Sequence, residues 1–314
     1  MSRKVTRRSV LALGAGAFVF AAVPYGRGRR PRLFRRRLPL MGTIAEIAVV
    51  HDGNPHAALD AAFAELRFVD ETMSRFLATS DVGRLNHAGP GVAVTVGEQT
   101  ALVLRHALSW AERSAGAFDP CLGRATELWD VTRRRTPPAA HEVRRFAGRR
   151  LYGALDLDGR RAVVSDGDVA VDLGGIAKGH AVDRAARALR ERGVAHALVN
   201  VGGDLVALGA SEDGDAWRVG VVDGDDPGRL TRTLMVRDEA IATSGDYERG
   251  FDHAGQRYHH LLDTATASPR TAKRHSLTVV AADCMTADAA ATACFGLEDD
   301  GVGRMLGGSG ARVA

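Results

Sequence analysis

Apolar positions along the chain change their spacing several times, and each spacing predicts a different element. Residues 57–76 and 98–114 carry apolar side chains at helical intervals, and residues 176–192 form a third helical segment. Residues 38–50 predict a single strand, because β-branched side chains recur there around a glutamate. The first part of the chain therefore mixes strands with long amphipathic helices.

From residue 151 onward, short apolar runs predict a series of strands. These runs lie at residues 151–157, 162–165, 169–173, 197–201, 205–208, 217–222, 232–236, 240–243, 258–262 and 277–281. A last helix is predicted from Asp283, a favoured N-cap residue, to Phe295. Strands and helices in such irregular order are typical of an α+β fold with mixed, largely antiparallel sheets and flanking helices.

The amino terminus carries a targeting pattern. Arg7 and Arg8 precede a weakly apolar run rich in Gly and Ala at residues 11–23. Twin arginines before such a run resemble a twin-arginine export signal, which carries folded proteins across the bacterial inner membrane. A short membrane anchor and an ordinary secretion signal are the alternatives, although the run is short for a membrane span. We expect residues 1–26 to be an export signal that directs the protein to the periplasm, or to the membrane if the leader stays uncleaved.

The formal net charge of +4 is an average over two unlike parts. Residues 1–37 hold eleven of the 42 basic residues and no acidic residue, which leaves 31 basic and 38 acidic residues in the remainder, a net charge of −7. Nucleic-acid binding needs a clustered basic surface, so the acidic remainder argues against that class. We interpret residues 27–37 as an arginine-rich linker and residues 38–314 as one catalytic domain. Three cysteines do not indicate a disulfide framework.

Three glycine-bearing turns carry candidate chemistry. A predicted strand leads through Gly174 and Gly175 into a helix, whose N-terminus offers N–H groups and the positive end of the helix dipole to an anion. Lys178 adds a positive charge one turn into the helix, although the spacing of a Walker loop is absent. The other turns lie at residues 200–204 and 243–249. Each turn by itself is as well explained by a tight connection between elements as by a ligand site.

Two further groupings suggest a metal and a base. Asp288 and Thr292 lie at i and i+4 of a predicted helix and share a face, where a carboxylate and a hydroxyl can hold a hard cation. Such pairs are more often simply solvated. The adjacent His259 and His260 end a predicted strand, so their side chains point to opposite faces and do not readily share one metal. One of the two histidines could act as a base.

Residues 116–120 read Gly-Ala-Phe-Asp-Pro and predict a turn that presents an aromatic ring and a carboxylate. Phe118 could pack on a ring of a ligand, and Asp119 could accept a hydrogen bond from a heterocyclic N–H group. Alternatively, both side chains only shape the turn.

Taken in order, these segments resemble the ApbE family, the FAD:protein FMN transferases. The resembling segments span residues 41–292 and are Met41-Gly-Thr43, Met73-Ser-Arg-Phe76 with Asp81 to Asn86, Gly116 to Pro120, Asp172-Leu-Gly-Gly-Ile-Ala-Lys-Gly179, Asn200-Val-Gly-Gly-Asp204, Thr243-Ser-Gly-Asp-Tyr247, His260-Leu-Leu-Asp263, and Ala287-Asp288 with Thr292. No single segment is specific, but the ordered series covers nearly the whole domain. The resemblance implies an ApbE-like flavin transferase fold.

The resemblance also implies a function. It suggests a bacterial enzyme that requires Mg²⁺ and takes FAD as a substrate. The enzyme would transfer the FMN half of FAD to a threonine or serine hydroxyl of a target protein as a phosphoester, and it would release AMP. Similar members act in the periplasm on subunits of membrane electron-transport complexes, which agrees with the export signal.

Carried over residue by residue, the resemblance implies specific roles. The metal would be held by the backbone carbonyl of Ala177 and the side chains of Asp288 and Thr292. His260, Lys178 and Asp288 would be the catalytic residues, with His260 or a nearby carboxylate accepting the proton of the acceptor hydroxyl. The implied FAD contacts are Met41, Phe76, Phe118, Asp119, Gly174, Gly175, Lys178, Gly203, Asp204, Thr243, Ser244, Gly245 and His260.

The chain departs from the family at its histidine segment, which in the family usually reads His-x-x-Asp-Pro-x-Thr-Gly-x-Pro. Thr264 replaces the first proline and Ala267 replaces the glycine, so we expect a differently shaped loop that affects docking of the acceptor more than FAD binding. Three alternatives stay open: an FAD pyrophosphatase with water as acceptor, a periplasmic flavin-binding protein without turnover, and a zinc hydrolase that uses His253, His259 and His260.

Overall fold

The computed structural model describes residues 31–224, 226, 228–247 and 249–314. The predicted export signal, residues 1–26, lies outside the described residues, as do residues 27–30. Residues 32–37 belong to the first strand, so the prediction that the linker extends to residue 37 is wrong for this part. Ion pairs with Asp60 and Glu46 hold two of its arginines against the domain.

The described residues form sixteen strands and eight helices in interleaved order. The strands are β1 (Arg32–Leu40), β2 (Thr43–His51), β3 (Ala93–Thr95), β4 (Leu155–Asp158), β5 (Arg161–Val164), β6 (Ala197–Val201), β7 (Asp204–Leu208), β8 (Trp217–Val222), β9 (Leu230–Val236), β10 (Ala240–Gly245), β11 (Gly250–His253), β12 (Gln256–His259), β13 (Leu262–Asp263), β14 (Ser268–Pro269), β15 (Ser276–Ala281) and β16 (Arg312–Val313). The helices are α1 (His56–Met73), α2 (Asp81–His87), α3 (Glu98–Arg113), α4 (Gly123–Trp129), α5 (Ala140–Val143), α6 (Ala177–Glu191), α7 (Cys284–Cys294) and α8 (Asp299–Leu306).

Seven strands form the main sheet, in the order β1-β2-β6-β7-β10-β15-β16. Each neighbouring pair in this sheet is antiparallel. The smaller sheets, β3-β5-β4 and the hairpins β8–β9, β11–β12 and β13–β14, are antiparallel as well. The predicted α+β class with largely antiparallel sheets is therefore confirmed.

Both faces of the main sheet are buried. Successive residues of a strand point to opposite faces, and in β2 the side chains of Ile47 and Val49 belong to the large core that includes helices α1, α6 and α7. Ala48 and Val50 belong to a second core, which the hairpin β8–β9 covers with side chains such as Trp217. The helices thus occupy one face and a hairpin the other, and the chemistry described below lies on the helix side.

The helix α7 begins as the sequence predicts. The Asp283 side chain accepts a hydrogen bond from the Thr286 N–H at 2.8 Å and so caps the first turn. A second carboxylate, Asp183 of α6, accepts from the N–H groups of Cys284 and Met285 at 2.8 and 2.9 Å. Because a helix leaves its first N–H groups without partners in the helix itself, these two aspartates fix the start of α7 against α6.

Two predicted strands are corrected. Residues 38–50 are two strands joined by the two-residue turn Met41-Gly42, in which both residues have positive φ angles, 52° and 69°. Residues 169–173 form no strand. Their backbone instead bonds the side-chain amide of Asn86, which donates to the Val171 carbonyl at 2.9 Å and accepts from its N–H at 2.7 Å. The Asn86 side chain, together with isolated backbone hydrogen bonds to residues 120 and 123, takes the place of a neighbouring strand.

Other boundaries move by a few residues. The helix predicted for residues 57–76 ends at Met73, which leaves residues 74–76 in an irregular segment. The strand predicted to end at residue 243 continues to Gly245. Residues 151–154 form a 3-10 helix before β4. Among the described residues, no helix combines the length and apolar character needed to cross a bilayer.

Candidate functional site

A cavity of about 430 Å³ lies where the turns of the main sheet meet α6 and α7. Nearly all the predicted site residues line it, and they come from seven separate segments of the chain. The predicted residues in the lining are Met41, Phe76, Phe118, Asp119, Gly174, Gly175, Ala177, Lys178, Thr243, Ser244, Gly245, His260, Asp288 and Thr292. The fold therefore brings together residues that are far apart in sequence.

Gly203 and Asp204, two of the predicted FAD contacts, are not among the residues that line the cavity. Gly203 donates its N–H to the Asn200 side chain at 3.0 Å and completes the turn between β6 and β7. Its neighbour Gly202 lies in the lining instead. Asp204 is almost fully buried and forms an ion pair with Lys178, so it acts on the cavity only through that lysine.

One side of the cavity is the helix wall, which we define as Ala177, Lys178, Asp288 and Thr292. Asp288 accepts a hydrogen bond from the Gly179 N–H at 3.0 Å, which joins α7 to the first turn of α6. The Lys178 ammonium lies between the carboxylates of Asp204 and Asp288, with a distance of 3.5 Å to the Asp288 Oδ1. The side chains of this wall are therefore held in place before any ligand binds.

More of the N–H groups at the start of α6 are hydrogen-bonded within the protein than the sequence predicts. The N–H groups of Ile176 and Ala177 both donate to the Leu173 carbonyl, at 3.0 and 2.8 Å. The Gly179 N–H bonds Asp288, and the His180 N–H bonds the Ile176 carbonyl at 3.1 Å. The prediction of a helix N-terminus with free N–H groups for a phosphate is wrong for these four groups. An anion in the cavity must be bound largely by other donors.

Gly175 has a packing role in addition to any contact with a ligand. A Cβ at this position would lie 2.9 Å from two side-chain atoms of Thr292 and 3.2 Å from the Phe118 ring. The glycine therefore allows the aromatic turn at residues 116–120 and the helix α7 to approach from both sides. Thr292 in turn lies 3.5 Å from the Ser244 hydroxyl, which connects the wall to the end of β10.

The aromatic turn presents a buried ring and a carboxylate with an unusual pKa. Phe118 is 4% exposed, and its N–H donates to the Ser114 hydroxyl at 2.9 Å. Asp119 accepts from the N–H groups of Cys121 and Tyr152 at 2.8 and 3.1 Å. Burial raises the pKa of Asp119 to about 6 despite these hydrogen bonds. The carboxyl group can therefore change its protonation state near neutral pH.

His260 lies in the lining just after β12 and is half-buried. Its Nδ1 is buried and has no hydrogen-bond partner among the described residues. Burial, and then the positive charge of Arg249, lower the pKa of His260 to about 3. The imidazole is therefore neutral at physiological pH.

The neighbouring His259 does not belong to the cavity. Its Nε2 is 2.8 Å from the Arg270 carbonyl, and its Nδ1 accepts from the Leu261 N–H at 3.2 Å. His253 lies at the opposite end of the β11–β12 hairpin, paired with Gln256. Within the described part of the chain, no three His, Cys, Asp or Glu side chains are grouped as metal ligands. The zinc hydrolase alternative is therefore contradicted.

Three arginines in the lining were not predicted as site residues. Arg75 lies 3.0 Å from Asp172 and places its guanidinium 4.3 Å from the centre of the Phe76 ring. Arg270 is half-buried and donates to several backbone carbonyls, among them Thr292 O at 2.9 Å and Leu262 O at 3.1 Å. Burial lowers the pKa of Arg270. Arg75 could have been predicted as a site residue, because it directly precedes the predicted Phe76. No local sequence pattern distinguishes Arg270 from a surface arginine.

The third arginine, Arg249, belongs to a more exposed part of the lining. We call this part the turn rim and define it as Met41, Phe76 and Arg249. Met41 has a φ angle of 52°, which is unusual for a residue with a side chain. Phe76 is 78% exposed, and Arg249 donates to the Gly42 carbonyl at 3.1 Å. The rim is therefore more open to solvent than the helix wall.

Comparisons with known proteins agree with this geometry. A model of the ApbE family matches residues 41–311. The FAD:protein FMN transferase of Treponema pallidum (strain Nichols) is 32% identical over 286 residues, covering 85% of this chain and 79% of the relative. The FAD:protein FMN transferase of Vibrio cholerae is 30% identical and covers 72% of this chain and 69% of the relative.

Solved structures show the same fold. The crystal structure of the ApbE protein from Thermotoga maritima superposes with a TM-score of 0.82 at 32% identity, covering 90% of this chain and 93% of that one. The flavin transferase ApbE from Vibrio cholerae superposes with a TM-score of 0.79 at 27% identity, again over 90% of this chain and 93% of that one. The similarity thus extends through all the segments that line the cavity.

Proposed function

The chain belongs to the ApbE family, and we propose that it is an enzyme that transfers the FMN half of FAD to a hydroxyl group of a target protein. The observation that carries this proposal is the convergence in one cavity of an aromatic turn, a lysine held between carboxylates and a neutral histidine. Aromatic and polar groups of this kind suit a ligand with a flavin ring at one end and a diphosphate in the middle.

The proposed reaction is a displacement at phosphorus. The oxygen of a threonine or serine side chain attacks the phosphorus that carries the ribityl group, and a new phosphoester bond forms. The bond from that phosphorus to the bridging oxygen breaks, and AMP leaves with the bridging oxygen. The acceptor loses one proton. Positioning and neutralisation of charge contribute most to catalysis in reactions of this type.

The residues of the cavity have distinct parts in this reaction. His260 is neutral and lines the cavity, so its imidazole can take the acceptor proton. Asp119 is the alternative base, because its raised pKa lies closer to neutrality. Lys178 donates to the diphosphate from the helix wall, and Phe76 and Phe118 flank the flavin ring. Closing this pocket around FAD would also exclude water from the phosphorus.

The oxygen donors of the helix wall fit a magnesium ion. Asp288 and Thr292 are one helical turn apart on α7 and both line the cavity, as does Ala177. A carboxylate, a hydroxyl and a backbone carbonyl are hard oxygen ligands of the kind that Mg²⁺ takes together with substrate phosphates. When bound there, the ion would supply positive charge to the diphosphate and to the leaving AMP.

The cellular setting is part of the proposal. The twin-arginine pattern at Arg7 and Arg8 supports export to the periplasm in a folded state. An exported flavin transferase would act on target subunits of membrane electron-transport complexes that face the same compartment. Cell fractionation with antibodies against the chain tests the location, and replacement of both arginines by lysine should leave the protein in the cytoplasm.

Incubation with FAD, Mg²⁺ and an acceptor protein separates the proposal from its rivals. We expect AMP in solution and flavin that stays with the acceptor after acid precipitation. Free FMN together with AMP, without labelled acceptor, would show an FAD pyrophosphatase. A yellow protein that releases no AMP would show a flavin-binding protein without turnover.

A further inference from the structure

The basic side chains of the cavity differ in how they are neutralised. Among the described residues, four arginines and lysines line it. Arg75 and Lys178 each form ion pairs with two carboxylates. Arg270 is half-buried, and its guanidinium donates to backbone carbonyls of three segments. The fourth, Arg249, differs from all of these.

Arg249 lies on the connection between β10 and β11, at the mouth of the cavity. Its Nη2 donates to the Gly42 carbonyl at 3.1 Å, which links it to the turn between β1 and β2. No carboxylate of the described residues lies within ion-pair distance of its guanidinium. A guanidinium has five N–H donors and a permanent positive charge, so most of its binding capacity remains for a ligand.

The rest of the cavity creates a need for such a group. FAD brings a diphosphate with two negative charges, but the positive charge of Lys178 is exceeded by Asp204 and Asp288 together. The N–H groups of Ile176, Ala177, Gly179 and His180 at the start of α6 are already hydrogen-bonded within the protein. Without a bound Mg²⁺, Lys178 and the two carboxylates therefore offer a dianion no net positive charge, and the two charges of that ion would raise their sum only to +1. A further cation in the lining would help to balance the diphosphate.

His260 locates the place where these charges meet. Its side chain lies within the electrostatic influence of both Arg249 and Lys178, and each of these charges lowers the pKa of the histidine. Lys178 belongs to the helix wall and Arg249 to the turn rim, and His260 is close enough to feel the charge of both. A diphosphate beside His260 would therefore be near both cations.

We propose that Arg249 is an anion-binding residue that holds the diphosphate of FAD from the rim side of the cavity. The inference rests on the proposed function, because it takes FAD as the ligand. It predicts that the guanidinium contributes to the affinity for flavins with phosphate groups and has little effect on a flavin without them.

The experiment measures the binding of FAD and of riboflavin, which has the same ring system but no phosphate, by quenching of flavin fluorescence at two salt concentrations. The variant is Arg249→Gln. The matched control is Arg257→Gln, on the β11–β12 hairpin and outside the lining, where the arginine is already paired with Asp252 at 3.2 Å. Arg249 itself directly precedes the β11–β12 hairpin that contains Arg257. Both variants remove one positive charge, so an effect of net charge alone would be shared.

We expect Arg249→Gln to weaken FAD binding about tenfold, as for the loss of a charge-assisted hydrogen bond, and to reduce its salt dependence. Riboflavin binding should be unchanged, and Arg249→Lys should lose only part of the FAD affinity. Equal FAD affinity in wild type and Arg249→Gln would overturn the proposal. So would an equal loss for both flavins, or a loss that leaves the salt dependence unchanged.

The same measurements distinguish this inference from the proposed function. A wild-type protein that binds FAD in an Arg249-dependent manner but labels no acceptor would contradict FMN transfer and support the role of Arg249. A protein that labels an acceptor with equal efficiency in wild type and Arg249→Gln at limiting FAD would support FMN transfer and reject the role of Arg249.

Discussion

The two sides of the cavity are built in opposite ways. On the helix wall, Lys178 forms ion pairs with Asp204 and Asp288, and Asp288 also accepts a hydrogen bond from the Gly179 N–H. On the turn rim, Phe76 is 78% exposed and Arg249 donates its side-chain hydrogen bond to a single backbone carbonyl. Side chains of the helix wall therefore stabilise the fold and also form part of the site, whereas side chains of the turn rim are largely available to the ligand.

This difference leads to a general expectation for substitutions. A change on the helix wall should affect both stability and activity, because the same atoms hold α6 against α7. A change on the turn rim should affect ligand binding while the fold stays intact. Each of the following predictions tests one side of this comparison.

The largest effect is expected at Asp288. Asp288→Ala removes a proposed ligand of the metal, so FMN transfer should fall at least about a hundredfold. The same change leaves the buried Gly179 N–H without its acceptor, which should lower the free energy of unfolding by about 1–3 kcal/mol. Transfer to an acceptor protein and urea denaturation measure the two effects.

Asp288→Asn is the matched control for this prediction. Its side-chain oxygen can still accept from the Gly179 N–H, so most of the stability should return while transfer stays low. If Asp288→Ala labels the acceptor at the wild-type rate, the metal assignment is wrong.

The next effect concerns the contact between the two helices. A Cβ on Gly179 would lie 2.2 Å from the Cys284 carbonyl oxygen, so Gly179→Ala must push α6 and α7 apart. We expect a loss of about 3 kcal/mol in the free energy of unfolding. Gly303→Ala is the control, since Gly303 lies in α8 with open space around its Cα and should gain about 0.5–1 kcal/mol. Similar values for both variants in urea denaturation would contradict the tight crossing.

A smaller effect depends on pH. Burial raises the pKa of Asp183 from its ordinary value near 4 to about 7. Since the folded state binds this proton more tightly than the unfolded state, the contribution of Asp183 to stability is greatest below about pH 4 and falls as the pH rises to about 7. Asp183→Asn should remove this dependence. Unfolding free energies of both proteins across this range test it, and a difference between them that is independent of pH would contradict it.

The smallest effect on the fold is expected at the rim. Met41 and Ala254 each come first in a two-residue hairpin turn with positive φ angles, where asparagine is favoured. Met41→Asn should weaken FAD binding about fivefold through lost apolar contact with the ring, with little change in stability. Ala254→Asn, outside the cavity, should gain about 0.5 kcal/mol and leave FAD binding unchanged. Equal FAD affinities for the two variants, measured by fluorescence quenching, would exclude Met41 from the site.

The sequence could predict those parts of the site in which one segment carries its own chemistry. The pair Asp288 and Thr292 is local to one helix, and the aromatic turn with Phe118 and Asp119 is five residues long. The helices and most strands follow from apolar spacing for the same reason. The α+β class followed from their irregular order.

Other features depend on contacts between distant segments. The hydrogen bond from Gly179 to Asp288 joins residues 109 positions apart, and it occupies a helix N-terminus that looks open in the sequence. The guanidinium of Arg270 reaches Ala117, 153 positions away. The turn at Met41 was missed because its first residue is not one of those typical of such turns. These features require the assembled fold.

The departures at the histidine segment illustrate both situations. Ala267 has a φ angle of 53°, the region that a glycine adopts readily, and its carbonyl accepts from the Trp129 indole at 2.7 Å. The alanine therefore occupies a left-handed position within a packed loop. His260 lines the cavity despite the change at this position.

The central claim is that this chain attaches FMN covalently to another protein. The most direct measurement is the intact mass of a candidate membrane flavoprotein subunit co-expressed with the chain, with Asp288→Ala, or with neither. We predict a mass increase equal to FMN less one water only with the wild-type chain, located on a threonine or serine. An unmodified subunit in all three cultures, with free FMN and AMP formed by the purified wild type, would contradict the claim.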